Sequence, residues 1–171
     1  MIKGVEVREI KKILDERGFF AESMRIDWQD IFEESICQVN LSCSFPGIIR
    51  AWHRHNQGQV DHFTVIDGAV KLCAYDDDKK SDTFGELDEI ILSEESLKIV
   101  RIPGYLWHGF KALGPNQTKL LYGVNRLYDY KAPDEERRPW NDPSLIPKSI
   151  NGRSDDPRVG ITWDWNYPPH K

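Results

Sequence analysis

The chain has 171 residues, of which 39% are hydrophobic and 30% charged, and its formal net charge is −5 at pH 7. This length suits one domain with a real core, and the acidic balance argues against a nucleic-acid-binding protein, which normally carries a basic surface. Since no apolar run approaches the ~20 residues that span a membrane and the N-terminus has no apolar signal region, we expect a cytoplasmic protein without a membrane partner.

Strand signals dominate the first 125 residues. Residues 5–13 alternate in part, and residues 18–23 form a second extended run after a turn. Residues 27–34 are the best candidate for a short helix, with Asp27 as its N-cap. Further strand-like runs follow at 36–44, 48–53, 60–66, 69–76, 87–92, 96–102, 107–111 and 119–125. Many short strands at close spacing, two of them joined by Asp67-Gly68, predict an all-β sandwich or barrel.

The chain changes character near residue 128, and no repeat or linker divides it. We therefore expect one domain over residues 1–171, with a core at about 4–127 and an irregular tail at about 128–171. The tail is rich in proline, from Pro133 to Pro169, and it also holds the aromatic residues Trp140, Trp163, Trp165 and Tyr167. So many aromatic side chains argue against disorder, and we expect the tail to wrap the barrel or a neighbouring subunit.

Several reactive residue types have a structural interpretation. The three cysteines are odd in number and lack CxxC spacing, so we interpret them as reduced core thiols: Cys37, Cys43 and Cys73. His62 alternates away from Asp61 and is interpreted as structural or surface. The adjacent pair Arg137-Arg138 is interpreted as solvated rather than as a phosphate clamp.

The segment around His53 carries the strongest chemical signal. His53 and His55 stand two apart on a predicted strand, so their side chains point to the same face. His108 follows Pro103-Gly104 on a later strand. Imidazoles on one face of a barrel strand can bind a metal ion, or one of them can accept a proton, and the spacing alone leaves both possibilities open.

Six collinear segments give the chain a family resemblance. They are DERGFFAES at 15–23, QVNLS at 38–42, IRAWH at 49–53, SDTFG at 81–85, IPGYLWHGF at 102–110, and YDY followed by WNDP within 128–143. In this order they resemble the dTDP-4-dehydrorhamnose 3,5-epimerase family of nucleotide-sugar epimerases. The resemblance implies a double-stranded β-helix (cupin jelly roll), a homodimer and a dTDP-linked sugar substrate.

The resemblance also implies a reaction and the residues that perform it. The C4 ketone of a 4-keto-6-deoxy sugar acidifies the protons on C3 and C5. By the resemblance, His53 is the base that removes such a proton, and Tyr130 is the acid on the opposite face, with Tyr128 as the second candidate. No cofactor is implied. The family's substrate contacts fall on Arg17, Phe20, Glu22, Gln38, Asn40, Arg50 and His108.

Three positions depart from the family pattern. The family has a lysine near the enolate oxygen where this chain has Asp61. The residues after the catalytic histidine are Arg54-His55 instead of an aromatic residue and glutamine. The family's aspartate that polarises the histidine has no clear match, although the segment 155–157 could supply one.

The first two departures favour alternatives. His53, His55 and Asp61, which lie between Gly47 and Gly68, together with His108 after Pro103 resemble the three-histidine, one-carboxylate set of metal-binding cupins. Such a set suits a divalent transition metal, which would make His53 a ligand in an isomerase or dioxygenase. A non-catalytic nucleotide-sugar-binding cupin is the third possibility.

Overall fold

A computed structural model describes residues 1–168 of the chain, so Pro169 and the two residues after it lie outside the described part. Thirteen strands form there: β1 (Glu6–Glu9), β2 (Ile13–Asp15), β3 (Gly18–Phe20), β4 (Gln38–Ser44), β5 (Ile49–Arg54), β6 (Val60–Asp67), β7 (Ala69–Tyr75), β8 (Glu86–Ser93), β9 (Lys98–Pro103), β10 (Trp107–Leu113), β11 (Thr118–Val124), β12 (Glu136–Arg137) and β13 (Ser149–Ile150). Each of the eight predicted runs from residue 36 onwards overlaps an observed strand.

Two facing sheets build a jelly roll. The five-stranded sheet has the order β1-β9-β6-β11-β4, and the six-stranded sheet has the order β12-β5-β10-β7-β8-β13. All strand pairs in them are antiparallel except β8 with β13. Apolar side chains from both sheets form the main core between them, including Phe63, Leu72, Val100 and Leu120. The hairpin of β2 and β3 stands apart as a third sheet.

The aromatic tail packs against its own six-stranded sheet. Trp163 and Trp165 are buried together with Trp52 of β5 and Trp107 of β10. The ring centroids of Trp52 and Trp165 lie 4.8 Å apart. Because hydrophobic burial holds this segment in place, the described part of the tail covers the barrel that carries it.

The predicted helix at 27–34 is wrong. The segment forms turns, with one i to i+4 hydrogen bond from Phe32 N to Trp28 O at 2.8 Å. A single such bond does not offset the cost of nucleating a helix. Instead, Ile31 and Phe32 are buried in a small apolar cluster with Ile10 and Ile99. Among residues 1–168, no helix is long and apolar enough to cross a membrane.

Candidate active site

A cavity of about 770 Å³ opens between the two sheets, a volume in the range of small-molecule sites. Strands β4, β6 and β11 supply one wall and β5 supplies the other, while the segment after β11 forms the rim. Polar groups dominate its lining, which includes Gln38, Asn40, Arg50, His53, His55, Gln59, Asp61, Tyr122, Arg126, Tyr128 and Arg137.

Three imidazoles meet at the inner end of this cavity. His53 lies on β5 and His55 directly follows that strand, and strand pairing places His108 of β10 directly opposite His53. The ring centroids of His53 and His108 lie 4.2 Å apart. One ring nitrogen from each of the three histidines lies within 4.8 Å of the other two. The structure therefore brings together the histidines that the sequence singled out.

Asp61 reaches this cluster from the opposite sheet. Its side chain is buried, and its Oδ2 atom lies 3.4 Å from His108 Nε2 and 3.6 Å from His55 Nε2. The Gln59 amide donates to Asp61 Oδ1 at 3.1 Å and lies 3.0 Å from His55 Nε2. All four residues of the predicted metal-ligand set thus occupy one place in the fold.

Backbone carbonyls orient two of the imidazoles. His108 Nδ1 donates to the carbonyl oxygen of Leu106 at 2.9 Å, and His55 Nδ1 donates to the carbonyl oxygen of Asp134. These bonds leave Nε2 of each ring as an acceptor directed towards Asp61. His108 Nε2 is fully buried and has no hydrogen-bond partner among residues 1–168.

His53 is placed to exchange a proton with a ligand in the cavity. Burial lowers its pKa well below the usual value, and the neighbouring His108, His55 and Arg137 act in the same direction. The imidazole is therefore neutral at pH 7 and able to accept a proton. Among the described residues, no carboxylate forms an ion pair with His53. In the segment considered for that role, Asp155 and Asp156 pair with nearby arginines instead.

Three of the predicted substrate contacts line the cavity. Gln38 and Asn40 project from β4 and are joined by a 2.7 Å hydrogen bond from Gln38 Nε2 to Asn40 Oδ1. Arg50 projects from β5 and donates through Nε to Ser44 Oγ at 3.0 Å. His108 is placed differently, because it is fully buried beneath His53 and has no surface towards the cavity.

The structure places the two candidate tyrosines differently, and it favours Tyr128 over Tyr130 as the acid. Tyr130 is 87% exposed and lies outside the cavity wall, whereas Tyr128 lines it. The Gln38 side chain accepts a hydrogen bond from the Tyr128 backbone amide at 2.9 Å and so fixes this part of the rim. Sequence analysis also missed Tyr122, which lines the cavity from β11 and whose pKa burial raises. Its position on a predicted strand was the available signal.

The remaining predicted contacts lie on the β2–β3 hairpin or, for Glu22, two residues after it, and none of them lines the cavity of its own chain. Arg17 pairs with Asp15 at 2.6 Å, and Glu22 pairs with Arg25 at the same distance. Phe20 is 63% exposed. The described chain therefore does not bring these residues to the site by itself.

Three arginines of the cavity lining were missed as site residues. Arg137, expected to be solvated, lines the cavity and pairs with Glu135 at 2.8 Å, and Arg126 lines the same rim. Arg138, also expected to be solvated, lines the cavity as well and pairs with Asp77 at 2.6 Å. His62, interpreted as structural or surface, is buried against Phe32, with ring centroids 4.5 Å apart.

Sequence comparisons relate the chain to sugar epimerases. A sequence model of the dTDP-4-dehydrorhamnose 3,5-epimerase family matches residues 1–169. The probable low-salt glycan biosynthesis epimerase Agl13 of Haloferax volcanii is 44% identical over 140 residues, which cover 82% of this chain and 89% of that protein. The spore coat polysaccharide biosynthesis protein SpsL of Bacillus subtilis is 35% identical over 145 residues, covering 85% and 94%.

One solved structure is similar to this chain in both fold and sequence. The dTDP-6-deoxy-D-glucose-3,5-epimerase RmlC of Legionella pneumophila, in complex with dTDP-4-keto-L-rhamnose, superimposes with a TM-score of 0.73. The two sequences are 30% identical, and the match covers 82% of this chain and 76% of that one. The fold is therefore shared with a protein crystallised with a nucleotide sugar.

Proposed function

Because the chain belongs to the dTDP-4-dehydrorhamnose 3,5-epimerase family, we propose that it epimerises a nucleotide-activated 4-keto-6-deoxy sugar at C3, C5 or both. The observation that carries this proposal is the neutral, partly buried His53 on the wall of a polar cavity large enough for a sugar. The family relationship supplies the reaction class, and the position of His53 supplies its base.

The two walls of the cavity suit proton transfer on opposite faces of a sugar ring. The C4 ketone acidifies the neighbouring C–H bond, and the proton passes from carbon to the His53 imidazole while the electron pair forms an enolate. A tyrosine hydroxyl then returns a proton to the same carbon from the other face. Tyr122 belongs to the five-stranded sheet, opposite His53, and Tyr128 lies on the rim. General acid–base catalysis of this kind contributes roughly 10²–10⁴-fold.

The rim suits the diphosphate of the nucleotide. Arg50, Arg126 and Arg137 line the cavity, and guanidinium groups bind phosphate oxygens through paired hydrogen bonds. We expect dTDP as the nucleotide, as in the Legionella pneumophila complex. The proton transfers need no organic cofactor.

We also propose that a second copy of the chain completes the site. The hairpin exposes Leu14, Phe19 and Phe20, and the edge strand β4 exposes Val39 and Leu41. Apolar surface and an open strand edge of this kind mark an interface. In a homodimer, the hairpin of one protomer would cover the partner and carry the Arg17 motif towards its cavity.

The cellular setting belongs to the same proposal. Cys37, Cys43 and Cys73 are all unpaired, which suits a reducing compartment such as the cytoplasm. The printed names of two relatives refer to glycan and spore coat polysaccharide biosynthesis. We therefore propose that the product supplies a deoxysugar for polysaccharide synthesis.

The test is hydrogen exchange into the substrate. The purified full chain is incubated with dTDP-4-keto-6-deoxyglucose in heavy water, and the sugar is weighed by mass spectrometry. We expect a gain of one deuterium for one inverted centre and two for both. His53→Asn should lose nearly all exchange, while Tyr130→Phe, altered outside the cavity, should keep it. Binding without exchange in the unaltered chain would instead support a non-catalytic nucleotide-sugar-binding protein.

A further inference from the structure

We propose that His55, Asp61 and His108 bind one divalent transition-metal ion at the inner end of the cavity, beside His53. Binding of the ion follows from the geometry of these three residues and does not depend on the reaction. Only the role of the ion in catalysis rests on the proposed epimerase function.

The donor atoms have the spacing that a metal ion requires. Bonds from zinc-like ions to imidazole nitrogen and carboxylate oxygen are about 2.0–2.2 Å long, so ligand atoms around one ion stand about 3.0–3.6 Å apart. Asp61 Oδ2 lies 3.4 Å from His108 Nε2 and 3.6 Å from His55 Nε2. The ring nitrogens of the two histidines lie within 4.8 Å, so closure needs a movement of about 1 Å at most.

The hydrogen bonds around the two imidazoles also fit metal ligands. Histidine ligands almost always donate their other ring N–H to a carbonyl or carboxylate oxygen, which fixes the tautomer. The Leu106 carbonyl plays this part for His108, and the Asp134 carbonyl plays it for His55. Gln59 then holds Asp61 by a 3.1 Å hydrogen bond.

An unsatisfied acceptor at the centre of the cluster is the second argument. With both Nδ1 atoms donating, Nε2 of His55 and Nε2 of His108 are acceptors that lie close to the carboxyl group of Asp61. The Gln59 amide lies 3.0 Å from His55 Nε2 and donates to Asp61 Oδ1 at 3.1 Å, but it leaves His108 Nε2 without a donor. His108 Nε2 is fully buried without a hydrogen-bond partner among residues 1–168, and a metal–nitrogen bond would satisfy it.

His53 lies beside this three-residue set: one of its ring nitrogens is within 4.8 Å of those of His55 and His108, but among the described residues it makes no close contact with Asp61. Asp61 makes close contacts with His55 and His108, while His53 lies on the cavity wall with its ring edge against His108. His53 therefore stays available as the base. Bound between the other three residues, the ion would supply the positive charge that stabilises an enolate. The family has a lysine for this purpose at the position that Asp61 occupies in this chain. Two imidazoles and one carboxylate suit Fe(II), Mn(II), Co(II), Ni(II) or Zn(II).

The experiment measures the metal content and the metal affinity of the protein in the absence of substrate. The full chain is purified without an affinity tag or chelator and analysed by elemental mass spectrometry, and stripped protein is titrated with Co(II) while its visible absorption is followed. We expect near one ion per chain, and Co(II) bands that grow to one equivalent. Asp61→Asn, which keeps the shape of the side chain, and His55→Ala should weaken binding at least about tenfold. His53→Asn is the matched control and should keep its metal.

Three results would overturn the assignment. The first is an absence of metal in the purified chain together with no Co(II) uptake by the stripped protein. The second is full metal content in Asp61→Asn and His55→Ala, confirmed as folded by circular dichroism. The third is loss of metal in His53→Asn, which would make His53 a ligand and remove it as the base. None of these measurements depends on deuterium exchange, so failure of the metal site and failure of the proposed reaction are distinguishable.

Discussion

Substitution of Gly109 by alanine should disturb the strand pair that carries two of the histidines. Gly109 follows His108 on β10 and faces β5. A Cβ atom at this position would lie 2.4 Å from the Cβ of Ala51 and 2.6 Å from the carbonyl oxygen of Arg50. Normal van der Waals contact begins about 1 Å further out, so β5 and β10 must separate by about that distance.

The size of the effect follows from this displacement. Overpacking of a well-packed core costs about 1–3 kcal/mol, which lowers the melting temperature of a chain of this size by roughly 2–12 °C. A shift of about 1 Å in a reacting group costs on the order of 10²-fold in rate. Because β5 also carries His53, we expect Gly109→Ala to lose far more activity than its stability loss alone would explain.

The assay combines thermal unfolding with the rate of deuterium exchange into the substrate. Ala51→Gly removes the nearest clashing atom, so the double variant Gly109→Ala/Ala51→Gly should recover part of both the stability and the rate. A non-additive recovery is the signature of direct contact. Unchanged melting and unchanged exchange in Gly109→Ala would refute the reasoning, since they would mean that the two strands are not in contact there.

Three further predictions concern the tail, the core and the acid. Trp165→Ala should cost about 3–5 kcal/mol of unfolding free energy because it leaves a cavity under the tail, and chemical denaturation showing less than about 1 kcal/mol would mean that the tail does not hold the barrel. Burial raises the pKa of Asp88 in the folded protein, so the protonated carboxyl group is favoured on folding. Its contribution to the free energy of unfolding is therefore complete at low pH and is lost as the pH rises through the folded pKa. Asp88→Asn, whose amide oxygen can still accept from Ile2 N, should therefore gain melting temperature relative to the unaltered chain between about pH 4 and pH 7, and a pH-independent difference would contradict this. Tyr128→Phe should slow substrate exchange by roughly 10²-fold or more if its hydroxyl is the acid, whereas Tyr130→Phe should not; equal rates in the two variants would leave Tyr122 as the candidate.

Strand alternation made the centre of the site predictable. Two-residue spacing placed His53 and His55 on one face, and the strand after Pro103 brought His108 beside them, as the pairing of β5 with β10 shows. Asp61 was predictable only through the spacing of a cupin pattern, because its contact with the histidines joins two different sheets. Such contacts depend on how the sheets face each other, which no local sequence signal reports.

The failures lie where periodicity ends. Tyr128 and Tyr130 lie in an irregular segment, so their spacing in the sequence does not predict which of the two rings faces the cavity. The turns at 27–34 contain helix-forming patterns, but the apolar side chains Ile31 and Phe32 gain more by packing into the core than by forming a helix. Residues of the hairpin, including Arg17, lie apart from the cavity of their own chain, and a single-chain sequence does not show where a second copy would place them.

The most direct test of the central claim resolves where and how the proton is replaced. Proton NMR follows the C3 and C5 signals of dTDP-4-keto-6-deoxyglucose in heavy water with the unaltered chain and with His53→Asn. We expect deuterium to enter only at carbons whose configuration inverts, and we expect His53→Asn to abolish both the exchange and the inversion. Inversion without deuterium uptake, or exchange that persists at the normal rate in His53→Asn, would contradict proton abstraction by His53.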